Sequence, residues 1–158
     1  MRGMSTAGAK WEWGMFAGSH SLTIDDKGRL AIPARFRQQL NDDYGQQVVM
    51  TRAHKSCIEI YPASVFKSVA DQIKNLSDGA AADLLKEIFI GHAVETEIDK
   101  QGRVLLPQIL RRHARLETSA VLVGQIDRFD VWSEEIWAEK IGDSSKNELA
   151  SAFALIKR

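Results

Sequence analysis

The chain has 158 residues, of which 44% are apolar and 27% charged; 21 basic and 21 acidic side chains leave no net charge. This is enough chain for one ordinary domain, or two small intertwined halves, around a real core. The composition excludes a disordered chain, holds no apolar run of bilayer-spanning length, and counts against a nucleic-acid binder that works through a uniformly basic surface.

Residues 1–14 lack the long apolar stretch of a secretory signal. Their Gly, Ser and Ala content predicts a disordered extension, within which Trp11 and Trp13 have no assigned role. Alternation of period two predicts a strand over 21–24, a turn at Asp25-Asp26-Lys27-Gly28 and a second strand over 29–32. Pro33 has the pre-set φ of a first helical residue, and an amphipathic helix over 34–40 follows, with Phe36 and Leu40 one turn apart. Two apolar strands over 48–51 and 58–61 form a hairpin, and a helix covers about 63–76. A further helix over 80–90, with Ser77 as its cap, bridges to the second half.

The second half repeats this order. Strands are predicted over 94–98 and 103–106 around the turn Asp99-Lys100-Gln101-Gly102. Pro107 and a helix over 108–114 follow, then a hairpin from 121–124 and 129–132, a helix over about 134–141 and a terminal helix over 148–156. The repetition extends to the letters. Ile24-Asp25-Asp26-Lys27-Gly28-Arg29-Leu30-Ala31-Ile32-Pro33 returns as Ile98-Asp99-Lys100-Gln101-Gly102-Arg103-Val104-Leu105-Leu106-Pro107, and Arg37 and Arg111 extend the match. Two copies of one supersecondary unit imply an internally pseudo-symmetric fold in which neither half buries its sheet face alone. What repeats is turn chemistry and an arginine, which favours binding over catalysis. Within the turns, Asp can accept from backbone amides two residues on, and Gly supplies positive φ.

Charge is segregated along the chain. Residues 99–115 carry Lys100, Arg103, Arg111, Arg112 and Arg115 against Asp99 alone, whereas residues 67–97 are acidic in balance. A basic face is therefore compatible with a neutral protein. The lone Cys57, in the run Cys57-Ile58-Glu59-Ile60-Tyr61, excludes an intrachain disulfide, fits a reducing cytoplasm and reads as a buried hydrophobe. His20, His54, His92 and His113 have no metal-ligand spacing, and no phosphate-binding loop or nucleophile signature is present. Carboxylates are plentiful, but the sequence singles out no buried pair.

Asp-x-x-Gly-Arg followed by three apolar residues, Pro and a short basic helix resembles the swapped-hairpin DNA-binding unit of the AbrB/SpoVT class. Two such units, with Gly18-Ser19-His20 and Gly91-His92-Ala93 before them and Asp127-Arg128-Phe129-Asp130-Val131-Trp132 near the end, resemble the MraZ family over residues 15–141. The resemblance implies an α+β fold, a double-split β-barrel of two pseudo-symmetric repeats with appended helices. The divisions expected are an extension (1–14), a first repeat (15–66), a helical connection (67–91), a second repeat (92–137) and a helical tail (138–158). It implies a regulator of the division and cell wall gene cluster, cytoplasmic and nucleoid-associated. Such a regulator binds short G-rich direct repeats in double-stranded DNA upstream of its own operon. It also implies a homo-oligomeric ring and neither catalysis, cofactor, membrane nor small-molecule substrate.

On that basis Arg29 and Arg103 face DNA, where a guanidinium can take a phosphate or the O6 and N7 of guanine. Lys27 and Lys100 stand at the turn tips as phosphate contacts, and Asp25, Gly28, Asp99 and Gly102 shape the turns. The helix arginines Arg37, Arg111 and Arg112 lie on the DNA face. Gln38 stands where the second copy has Arg112, with Arg35 in compensation. The plainer alternatives are that Arg29 and Arg103 pair with their aspartates and that the helix charges form a solvated face. A protein-interaction or antitoxin-like scaffold of the same fold is the competing function.

Overall fold

The computed structural model describes residues 14–158. The extension expected over 1–14, with its two tryptophans, lies outside the described residues except for Gly14. Eight strands and their helices follow the order read from the sequence. The first half contains β1 (Ser19–Thr23), β2 (Arg29–Ala31), α1 (Ala34–Asp43), β3 (Gln47–Thr51), β4 (Ile58–Pro62) and α2 (Ala63–Lys74). The second contains β5 (Val94–Glu97), β6 (Arg103–Leu105), α4 (Gln108–His113), β7 (Ser119–Gly124), β8 (Phe129–Ser133) and α5 (Glu134–Gly142). Between them lies α3 (Ala80–Leu85), continued by a π-helical turn (Lys86–Ile90), and α6 (Lys146–Phe153) ends the chain.

The helix caps differ from the sequence reading, and the terminal helix lies at Lys146–Phe153, not 148–156. Pro33 and Pro107 are not the first helical residues but the caps just before them, with ψ of 143° and 141°. The proline ring fixes φ and leaves ψ free, so either position satisfies it. Ser77 is not the cap of α3; Gly79 holds that place without a side-chain bond. Ser145, by contrast, caps α6 by accepting from the amides of Asn147 and Glu148.

The halves exchange strands. A six-stranded antiparallel sheet runs β1-β7-β8-β4-β3-β5, so β1 pairs with the second half's hairpin and β5 with the first half's. A separate ribbon pairs β2 with β6. The registers locate a local twofold axis: the sheet is centred on the pair Glu59–Asp130 and the ribbon on Leu30–Val104, each pair being equivalent residues of the two copies. Strand alternation then assigns the layers. Val48, Met50, Ile58, Ile60, Ala120, Leu122, Phe129 and Val131 face the main core, together with Leu30, Val104, Phe36 and Leu110. Phe16 seals one end against Phe36, Tyr44 and Phe129, with ring centroids 5.1–5.9 Å apart. On the opposite sheet face, Tyr61, Ile73 and Phe89 form one patch with Phe66 on α2, and Cys57, Val121, Val123 and Trp132 form another with Trp137 on α5.

Candidate functional site

The β2–β6 ribbon joins the two repeats through three residue pairs. Leu30 and Val104 are buried on its inner face, so the alternate residues Arg29, Ala31, Arg103 and Leu105 share its outer face. Each ribbon strand is entered through a repeated turn. In the first, Asp25 Oδ1 accepts from the amides of Lys27 and Arg29, both at 2.9 Å. In the second, Asp99 Oδ1 accepts from Gln101 and Arg103, again at 2.9 Å. Gly28 and Gly102 complete the turns at φ +84° and +79°, in the left-handed region that a Cβ disfavours. Lys27 and Lys100 are exposed at the tips.

Arg29 and Arg103 are partly covered, each side chain 30% exposed, and both meet aspartate. Arg29 Nε donates to Asp25 Oδ2 at 2.8 Å. Arg103 Nε lies 3.4 Å from Asp99 Oδ2, while its Nη1 reaches across the dyad to 3.8 Å from Asp25 Oδ2. Two guanidinium groups thus approach one carboxylate oxygen. The amide bonds of Arg29 and Arg103 hold the Asp25 and Asp99 carboxyls below the usual carboxylate range, and the neighbouring guanidinium charges add to this. The plainer alternative is what the geometry contains: the aspartates shape the turns, and the arginines stand on the outer face while paired to them.

The helix arginines occupy a different setting. Arg37 Nε donates to Ile32 O at 3.0 Å, and Arg111 Nε to Leu106 O at 2.9 Å, each a carbonyl just before its own helix. Arg37 is exposed and Arg111 half-buried. Arg112 is exposed, whereas Gln38 at the matching place is engaged by Asp42. Arg35 is half-buried, and its charge, second to burial, lowers the pKa of His20. His20 packs edge-on against Phe36, and His92 Nδ1 meets Ile88 O at 2.8 Å.

The sequence reading missed a buried charge cluster on the other sheet face. Glu59 and Asp130 are 4% and 1% exposed and face each other at the dyad. Arg128 Nε donates to Asp130 Oδ1 at 3.0 Å, and its Nη2 lies 3.8 Å from Glu59 Oε2. Tyr61 OH donates to Glu59 Oε1 at 2.7 Å, and the Arg128 guanidinium lies 5.6 Å from the centre of that ring. Burial raises the Asp130 pKa, opposed by Arg128. The signal was present: each acid is the one charged residue of its strand, at equivalent places in the two hairpins. Cys57 beside them is buried, and burial pushes its thiol up to about 12, so it is inert.

Among the described residues no group of three or more His, Cys, Asp or Glu side chains is placed to hold a metal ion, and no helix is long and apolar enough to cross a membrane.

Comparison with known proteins places this chain in a family. A family model described as "MraZ protein, putative antitoxin-like" matches twice, over residues 15–87 and 89–155. A Legionella pneumophila (strain Corby) protein named transcriptional regulator MraZ is 42% identical over 128 residues, which are 80% of this chain and 84% of that one. A Shewanella loihica protein of the same name is 38% identical over 146 residues, 91% of this chain and 96% of that one. With both repeats matched and relatives alike over most of their length, the chain belongs to the MraZ family.

Proposed function

We propose that this protein is a sequence-specific, DNA-binding transcriptional regulator, not an enzyme, and that the outer face of the β2–β6 ribbon is its reading surface. The observation that carries the reading is the placement of Arg29 and Arg103 on that one face, flanked by the exposed turn-tip lysines Lys27 and Lys100. A two-stranded ribbon is of a size that enters the major groove. Asp25 holds Nε of Arg29 by a hydrogen bond at 2.8 Å, which fixes the plane of that guanidinium fork and leaves its Nη edge to guanine O6 and N7 or to phosphate, whereas Arg103, whose Nε makes no hydrogen bond, is held by charge between Asp99 and Asp25 and exchanges that pairing for the same contacts. Lys27, Lys100, Arg35 and Arg112 supply the phosphate contacts around it.

The names of the relatives support regulation of transcription. The finer picture follows the family resemblance. The strand exchange reads as a double-split β-barrel of swapped hairpins, with repeats at 15–66 and 92–137, a connection at 67–91 and a tail at 138–158. The target is a set of short G-rich direct repeats upstream of the operon that heads the division and cell wall cluster, and the protein acts at the nucleoid. A neutral subunit with a few phosphate contacts binds one repeat weakly. A homo-oligomeric ring that sets several subunits on several repeats gains through effective concentration.

The test is a titration of the upstream region carrying graded numbers of repeats, at low and high salt. Affinity that climbs with repeat number, falls with salt and disappears in Arg29→Ala/Arg103→Ala supports the reading. Selective binding that survives the double substitution would remove the ribbon from it. The family description mentions antitoxin likeness, which keeps a partner-binding scaffold as the second reading. That reading gains if no duplex is bound selectively at low salt.

A further inference from the structure

We infer that Arg37 and Arg111 are positioning residues that lock the turns of the opposite repeat, and that they act on DNA through those turns, not by touching it. The inference deepens the proposed reading surface and rests on it only for its DNA readout.

The geometry is reciprocal. A Cβ built on Gly102 would lie 2.8–2.9 Å from Nε, Cδ and Cζ of Arg37, and one built on Gly28 would lie 2.8–3.0 Å from Cζ, Nε and Nη2 of Arg111. Each guanidinium therefore rests on the bare Cα of a glycine in the other half's turn. It is anchored there through Nε, which donates to Ile32 O for Arg37 and to Leu106 O for Arg111. The same chain segments bond to the same turns: Ile32 N donates to Gly102 O and Leu106 N to Gly28 O, both at 2.9 Å. Backbone and side chain of one repeat thus close on one turn of the other, twice, about the dyad. The glycines meet two demands at once, positive φ and the absence of a Cβ where the fork lies.

The consequence is positional. Arg103 follows Gly102 with Lys100 two residues before it, and Lys27 and Arg29 flank Gly28. A locked turn presents these side chains at a fixed spacing across the ribbon, which lowers the ordering cost of binding. Lysine cannot replace arginine here, because an ammonium on a flexible stem has no planar fork to lie flat on a glycine while donating sideways. Charge and locking are therefore separable.

The experiment uses the full chain and the single variants Arg37→Lys, Arg37→Ala, Arg111→Lys and Arg111→Ala. Amide hydrogen exchange reads the turns without DNA. Binding to a fluorescent duplex carrying the region upstream of the gene reads affinity and its salt slope. Arg37 variants should speed exchange in the turn at 99–103 while leaving 25–29 protected, and Arg111 variants should do the reverse. Lysine should fail to restore protection. Affinity should fall about tenfold, the size of one well-placed contact, with the salt slope unchanged. The inference is overturned if exchange is unaltered, if it rises in the variant's own turn, or if alanine flattens the slope by roughly 0.9, one phosphate contact, and lysine restores it. If no variant binds the duplex, wild type included, the exchange pattern still decides the lock, and only the DNA reading fails.

Discussion

Removing Arg128 is the sharpest test of how the two halves are joined. Its guanidinium is shared by Asp130 and Glu59, whose side chains are 1% and 5% exposed. Arg128→Ala leaves two facing carboxylates in the sheet, with the Tyr61 hydroxyl still donating to Glu59. Breaking a buried pair from one side costs about 3–5 kcal/mol, since an uncompensated charge remains. Arg128 keeps 22% of its side chain in contact with solvent, so the cost should fall near the lower end, about 3 kcal/mol. For a domain of this size that is a fall of about 10 °C in Tm. The loss should shrink on acidification. Burial already raises the Asp130 pKa, so the folded state takes up a proton before the unfolded chain does, and the variant should exaggerate this. Urea unfolding at fixed protein concentration, followed through Trp132 and Trp137 fluorescence from neutral pH to pH about 5, measures both quantities. A loss under about 1 kcal/mol at neutral pH, or one that grows as pH falls, would refute the claim that this cluster holds buried charge across the dyad.

Three further outcomes are expected. Gly28→Ala should destabilise the fold by about 1–2 kcal/mol from the left-handed conformation alone, and more if Arg111 cannot move aside; a thermal melt with Tm unchanged would contradict the turn geometry. Asp25 and Asp99 have folded-state pKa values below 3.8, first because Arg29 and Arg103 amides bond to the charged form. Their contribution is therefore complete above that value and lost as pH falls through the folded values, and carboxyl NMR titration should show both midpoints depressed. His113 has its pKa lowered by burial and by the Arg52 and His92 charges, against the Lys55 carbonyl that meets Nε2 at 2.9 Å. The unfolded chain takes the proton first, so stability should be full above pH 6.5 and decline below it. His113→Gln should remove part of that decline in a pH series of urea midpoints.

The elements, their order and the turns were legible in the sequence because they depend on local chemistry. Period-two alternation marks strands, Asp and Gly mark turns, and a repeated phrase forces a repeated unit. The burial of Cys57 followed from the same local rules, whereas the facing of Arg29 and Arg103 entered the reading with the family resemblance. The tertiary structure decided who pairs with whom. Nothing local tells β1 to bond to β7 instead of β3, because both hairpins offer the same apolar edge at nearly the same spacing. From that exchange come the features the sequence could not announce: Arg103 within reach of Asp25, Arg37 lying on Gly102, and Glu59 brought face to face with Asp130. Each joins residues between 65 and 78 positions apart, and such contacts are set by the global packing of two sheet faces that neither repeat can bury alone.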